Sequence, residues 1–219
     1  MLNGEGLRPT GPRPTGLRPT GLKAEGLTAI RGERLVFQNL SFSLAAGGAL
    51  LLTGANGAGK STLLRMLAGL ARPAAGRLTW NGADAWDDRV AHGLRVALLG
   101  HQDALKSGLT AAENLDFTAR LSGRDAAPVL ASFGLEGLAD LPARLLSAGQ
   151  KRRLALARVS LSGAPLWLLD EPALGLDDAA VDRLAIVLAA HRSAGGMVIA
   201  ATHVALPLPD AGTVAMSPP

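Results

Sequence analysis

The chain of 219 residues has no cysteine and no tyrosine, and only 3% of it is aromatic. Without cysteine there can be no disulfide and no thiolate metal site, which suits a reducing compartment. With so few rings, the 48% hydrophobic content must pack chiefly as Leu, Ala and Val. No run of about 18 apolar residues occurs, so no segment reads as a membrane span. The N-terminus lacks the apolar core of a secretory signal, and a cytoplasmic location is expected. Charge is also sparse: 22 Lys and Arg against 18 Asp and Glu give a formal +4. Part of that excess sits in Arg8, Arg13, Arg18 and Lys23, so charge gives no ground for a nucleic-acid partner.

Residues 6–20 repeat a five-residue unit, Gly6 to Thr10, Gly11 to Thr15 and Gly16 to Thr20, each ending Arg-Pro-Thr. Sequence this dense in Gly and Pro cannot bury enough surface to offset its ordering entropy. Residues 1–24 are therefore expected to be a disordered tail, and 25–219 one folded domain.

The stretch richest in chemistry is Gly54-Ala55-Asn56-Gly57-Ala58-Gly59-Lys60-Ser61-Thr62, which fits the phosphate-binding pattern G-x-x-x-x-G-K-[ST]. Ala49 to Thr53 before it is short and apolar, as a buried strand should be; Ser61 to Leu70 after it has helical spacing of Leu and Met. Strand, glycine-rich turn and helix is what the chemistry needs. Backbone N–H groups close around phosphate oxygens, and the helix N-terminus adds partial positive charge. Lys60 would reach the β- and γ-phosphates, and the Ser61 hydroxyl would coordinate Mg²⁺.

Around this motif, Leu27–Ile30 and Leu35–Leu44 read as a hairpin, Arg77–Trp80 as a strand ending in Asn81-Gly82, and Arg95–Gly100 as an apolar strand. From about 104 to 146 the pattern turns helical, opened by the capping box Thr110 to Glu113, and suggests an inserted helical subdomain. Lys151–Leu161 and Asp177–His191 read as helices, Met197–Thr202 as a strand and Gly212–Met216 as a last edge strand. Strands alternating with helices predict an α/β fold of the P-loop NTPase kind, with a largely parallel core sheet and an antiparallel β subdomain. His92 and His191 are read as surface residues, Phe37 as core, and Trp80, Trp86 and Trp167 as packing residues.

A second nucleotide signal is the apolar run Leu166 to Leu169 ending in Asp170 and Glu171. Such a strand is buried, so its terminal carboxylate emerges at the nucleotide crevice. Asp170 would hold Mg²⁺, and Glu171, one residue further, would polarise the attacking water. Between the two signals lies Ser147-Ala148-Gly149-Gln150 at the start of a helix. In this order the chain resembles the ATP-binding cassette ATPases, whose signature is usually LSGGQ; Ala148 stands here for the first glycine. The resemblance spans about residues 27–205. It places Gln102 at the Q-loop as a metal and catalytic-site residue, Ala173 to Asp177 at the D-loop, and His203 as the switch histidine. It implies ATP and Mg²⁺ as cofactors and a head-to-tail dimer with a second ATPase protomer. In that dimer Ser147 and Gly149 would bind the γ-phosphate of the partner's nucleotide, with Gln150 beside them among the nucleotide-binding residues. The family usually stacks an aromatic ring on adenine after the first strand; here Ile30-Arg31-Gly32 occupies that place, leaving Arg31 as the stacking group or the base loosely held.

A narrower resemblance is to the ATPases of cytochrome c maturation. It is carried by Leu99 to Gln102, Leu109 to Ala111 with Glu113 to Leu115, Ser147 to Gln150, Leu166-Trp167 before Leu169 to Pro172, and His191 followed by Gly195 to Val198. It implies a peripheral subunit on the cytoplasmic face of the inner membrane, driving integral-membrane permease subunits in haem export or in release of a haem-loaded chaperone. An ATPase subunit of another small-substrate exporter, or a regulatory cassette ATPase outside transport, are the rival readings.

Overall fold

The computed structural model describes residues 21–217. The expected disorder of residues 1–20 lies outside them, but the expected boundary at 24 is too late. Strand β1 runs Leu22–Arg31, and Leu22 and Ala24 are buried on its inner side. Period-2 alternation begins at Leu22, directly after the repeat, and was hidden by the tail's composition.

Strands β1, β2 (Arg34–Leu44), β4 (Ala75–Trp80) and β5 (Ala83–Asp84) form an antiparallel sheet in the order β2-β1-β4-β5. The hairpin between β1 and β2 turns at Gly32-Glu33, with Arg31 opposite Arg34. The second sheet is β6 (Val96–Leu99), β7 (Leu166–Asp170), β8 (Met197–Ala201), β3 (Ala49–Thr53) and β9 (Gly212–Ala215), in that order. All four of its pairings are parallel, so the core sheet is parallel throughout, with β9 at one edge. Crossover connections between parallel strands put helices on the faces, which explains why these strands read as continuous apolar runs.

The pleat then divides each run between two cores. Leu166 and Leu168, like Met197, Ile199 and Ala201, face a core shared with helix α1 (Lys60–Leu67) and the antiparallel sheet. Trp167 and Leu169, like Val198 and Ala200, face a second core with α3 (Ala111–Ser122), α4 (Ala126–Ser132), α5 (Ala148–Leu161) and α6 (Asp178–Ser193). Helix α3 starts at the capping box: Thr110 Oγ1 accepts from Glu113 N and Glu113 Oε2 accepts from Thr110 N. Single 3₁₀ turns at Glu136–Leu138 and Ala143–Leu145 carry the chain from α4 to α5.

Two histidines are not where polarity alone puts them. His92, on the short helix α2 (Arg89–Gly93), is fully buried and bonds through Nε2 to the carbonyl of Leu67 at the end of α1. His191 stacks on Trp167 with ring centroids 3.8 Å apart and planes 11° from parallel. Gly196 leaves the room this needs, since a Cβ there would collide with the imidazole. Phe37, Trp80 and Trp167 are buried as expected, while Trp86 lies under the guanidinium groups of Arg72 and Arg89.

Candidate functional site

In an open parallel sheet the loops after the strand C-termini share one edge, and ligands bind there. β8 lies between β7 and β3, so the residues following these three strands must converge. They do so in a cleft of about 610 Å³ lined by Asn56, Gly57, Gly59, Lys60, Ser61 and Thr62 after β3, by Asp170 and Glu171 at the end of β7, and by His203 after β8.

The P-loop backbone is set by glycine. Gly57 and Gly59 have φ of 83° and 95°, in the left-handed region where a side chain is strained. A Cβ on Gly59 would lie 2.6 Å from Val36, so that glycine also lets β2 approach the loop. Ala58 is buried beneath it. Lys60 is buried as well, and its Nζ donates to the carbonyls of Gly54 at 2.6 Å and Ala55 at 3.0 Å. The same ammonium lies 3.1 Å from His203 Nε2. An ammonium can only donate, so a hydrogen bond between them needs Nε2 as the acceptor.

Glu171 and His203 are tied to each other. The backbone N–H of His203 donates to Glu171 Oε2 at 3.2 Å, and its ring Nε2 stands 3.7 Å from Oε1. Glu171 is one of the few non-glycine residues with positive φ, at 50°. Its N–H is held by the carbonyl of Ala201 on β8, so the neighbouring strand fixes the turn that follows β7.

Gln102 is exposed and does not join this cleft, while its neighbour His101 does. The signature residues Ser147, Gly149 and Gln150, expected to act on a second protomer's nucleotide, also stand apart from it, at the start of α5. There Ser147 Oγ accepts from Gln150 N and Gln150 Oε1 accepts from Ser147 N, a second capping box, so Gln150 spends its side-chain carbonyl on the helix end. Gly149 is required by packing, because a Cβ would sit 2.7 Å from the carbonyl of Gly175 in the loop after β7. Ala148 is exposed, which explains why a methyl group is accepted where glycine is usual.

Arg31 lines the cleft together with Arg34, Leu35 and Val36, forming a wall with no aromatic ring. Of these only Arg31 was singled out from the sequence; the others follow once β2 is placed beside the P-loop. Reasoning from motifs also missed Arg152, 5% exposed on α5. Its guanidinium donates to the carbonyls of Gly100, Asp170 and Glu171 and pairs with Asp103 Oδ1 at 2.8 Å. Among the described residues there is no group of three or more His, Cys, Asp or Glu able to hold a metal ion. A divalent ion in this cleft would rely on Asp170 and the Ser61 hydroxyl, with phosphate oxygens completing its shell, the usual economy of Mg²⁺ sites.

The ABC transporter family model matches residues 37–174. A cytochrome c biogenesis ATP-binding export protein, CcmA, of Paramagnetospirillum magneticum is 52% identical over 189 residues, 83% of this chain and 87% of that protein. The CcmA of Rhodospirillum rubrum is 53% identical over 190 residues, covering 85% of this chain and 82% of the other. Among solved structures, an ATP-binding subunit of an ABC transporter superposes with a TM-score of 0.77 at 28% identity, covering 84% of this chain and 80% of its own. With the cleft, the strand order and these likenesses in agreement, the chain belongs to the ABC transporter ATPases, in the family of the cytochrome c biogenesis ATP-binding export proteins.

Proposed function

We propose that this chain is the ATP-hydrolysing subunit of a membrane export complex in c-type cytochrome maturation, powering haem export or release of a haem-loaded chaperone. The observation that carries the reading is the meeting of Lys60, Asp170, Glu171 and His203 in one cleft, in a chain about half identical to relatives named for cytochrome c biogenesis. Residues 54–62 hold the nucleotide phosphates, with Lys60 turning from the loop carbonyls to the γ-phosphate. Asp170 and Ser61 take Mg²⁺, which screens the phosphate charge when bound, and Gln102 joins them when its loop moves inward. Glu171 polarises the attacking water and His203 contacts the γ-phosphate. The base rests against Leu35, Val36 and the Arg31 guanidinium.

Ser147, Gly149 and Gln150 serve the nucleotide of a second protomer in a head-to-tail dimer, since they stand away from their own cleft at an exposed helix N-terminus. No described helix is long and apolar enough to cross a membrane, so transport work passes to integral-membrane permease subunits at the cytoplasmic face of the inner membrane. ATP closes the dimer, hydrolysis opens it, and the permease follows.

The test is made in cells carrying Glu171→Gln or Lys60→Ala. Holo-cytochromes c are expected to disappear from haem-stained membrane and periplasmic fractions while b-type cytochromes persist. Normal c-type cytochromes would leave only the broader transport ATPase. Purified protein is expected to hydrolyse ATP without taking up haem, since the energy of ATP drives a partner subunit.

A further inference from the structure

A buried cation bonded to backbone carbonyls from two separate segments needs a reason, because desolvating a guanidinium is costly unless its donors are used well. Arg152 has that reason in its partners. Nη2 donates to the carbonyl of Asp170 and, at 2.8 Å, to that of Glu171, so it holds the two successive peptides that flank Glu171. Nη1 donates to the carbonyl of Gly100 at 3.1 Å and to Asp103 Oδ1 at 2.8 Å. Gly100 and Asp103 are the residues that bracket His101 and Gln102. Nε alone has no partner among the described residues. The peptides held by Nη2 flank Glu171, whose φ of 50° is one that non-glycine residues rarely adopt. Which way the Glu171 carboxylate leaves the strand depends on that turn. Arg152 also sits on the helix that begins at Ser147, only about 7 Å of helix rise away.

We propose that Arg152 is a positioning residue for hydrolysis: it fixes the turn that aims Glu171, clamps the loop carrying Gln102, and makes both move with the signature helix. The inference rests on Glu171 as the group that polarises water. A planar fork suits this duty, since four acceptors lie in two directions; a lysine could reach some of them but not all. None of the four acceptors of Arg152 belongs to the P-loop, so its loss is expected to weigh on rate more than on nucleotide affinity.

Arg152→Gln, Arg152→Lys, Asp103→Asn and Glu171→Gln in the full-length chain test this, with MgATP turnover, binding of a fluorescent ATP analogue and melting temperature measured for each. Arg152→Gln should lower kcat by about 10²-fold with KM and analogue affinity within about threefold of the parent, because misaimed catalytic groups cost rate and not ground-state binding. Arg152→Lys should recover part of that rate. A folded Arg152→Gln with kcat within about threefold of the parent overturns the proposal. So does parallel loss of affinity, rate and melting temperature, which is the mark of a merely structural residue. If Arg152→Gln fails to fold, Asp103→Asn decides: it keeps the guanidinium, loosens the Gln102 loop and should lower kcat about tenfold, and unchanged kcat there overturns the clamp. An inactive Glu171→Gln beside an active Arg152→Gln defeats this inference alone. A fully active Glu171→Gln defeats the reading of Glu171 itself.

Discussion

At the scale of single residues, Lys60 is the group with the most to lose. It is buried, and its ammonium is satisfied by two carbonyls and an imidazole nitrogen. Lys60→Ala removes the charge-assisted contact that a phosphate would take over, a loss of about 2 to 3 kcal/mol in nucleotide binding. Titration with ATP should show it, and near-parental affinity would remove the P-loop assignment. His191 makes a different prediction. Burial, opposed only in part by its contacts with the carbonyls of Met197 and Pro165, pushes its pKa from 6.5 down to about 4. The folded state thus keeps the ring neutral where the unfolded chain would protonate it. Its contribution is present above pH 6.5 and is lost as pH falls toward 4, about 3 kcal/mol in all. His92, also lowered by burial, acts in the same direction. Melting temperature should therefore fall between pH 6.5 and 4, and His191→Phe, which retains a ring on Trp167, should flatten that slope. An unaltered slope in the variant would show that other groups dominate.

At the scale of elements, α5 ties the signature to the rest of the site. Arg153 donates to the carbonyls of Phe133 and Gly134, and Arg158 to those of Asp103 and Ala104, so with Arg152 three of its arginines hold loop carbonyls, Arg152 adding the Asp103 carboxylate. Its first turn is fitted against the loop after β7, and Gly149→Ala should force Gly175 aside. The expected cost is about 1 to 3 kcal/mol with a loss of turnover, read by thermal melting and ATPase assay; a silent variant would mean that the two segments part easily. These contacts also explain what could be read from the sequence. β3, β7, β8 and the capping box at Thr110 announce themselves, because a doubly buried strand must be apolar throughout and a cap needs its own side chains. α2 does not, being five residues long with no period to detect. Arg152 reads as one more cation on a solvated face, since its partners are mostly carbonyls, which every residue has, and they lie 18 to 52 positions away. For the same reason the direction of the Gln102 loop was not legible, and His101 is the residue that faces the cleft.

At the scale of the whole molecule, the sheet begins at Leu22, and the repeat before it contributes no core-forming pattern. Removing residues 1–20 should leave ATPase activity and melting temperature nearly unchanged; a fall of more than about 4 °C, roughly 1 kcal/mol or more for a domain this large, would contradict that. The alternation of β7 and β8 between two apolar layers has a consequence for how the protein comes apart. Neither layer can melt while the other stays dry, because successive residues of the same strand belong to opposite layers, Leu166 and Leu168 to one, Trp167 and Leu169 to the other. Heat should therefore disrupt the domain in one cooperative step. Trp80 and Trp167 lie in different layers, so variants retaining one or the other as the sole tryptophan would report on each. Their fluorescence midpoints should coincide, and a separation of several degrees would mean that the helical half can loosen while the nucleotide-facing half still stands.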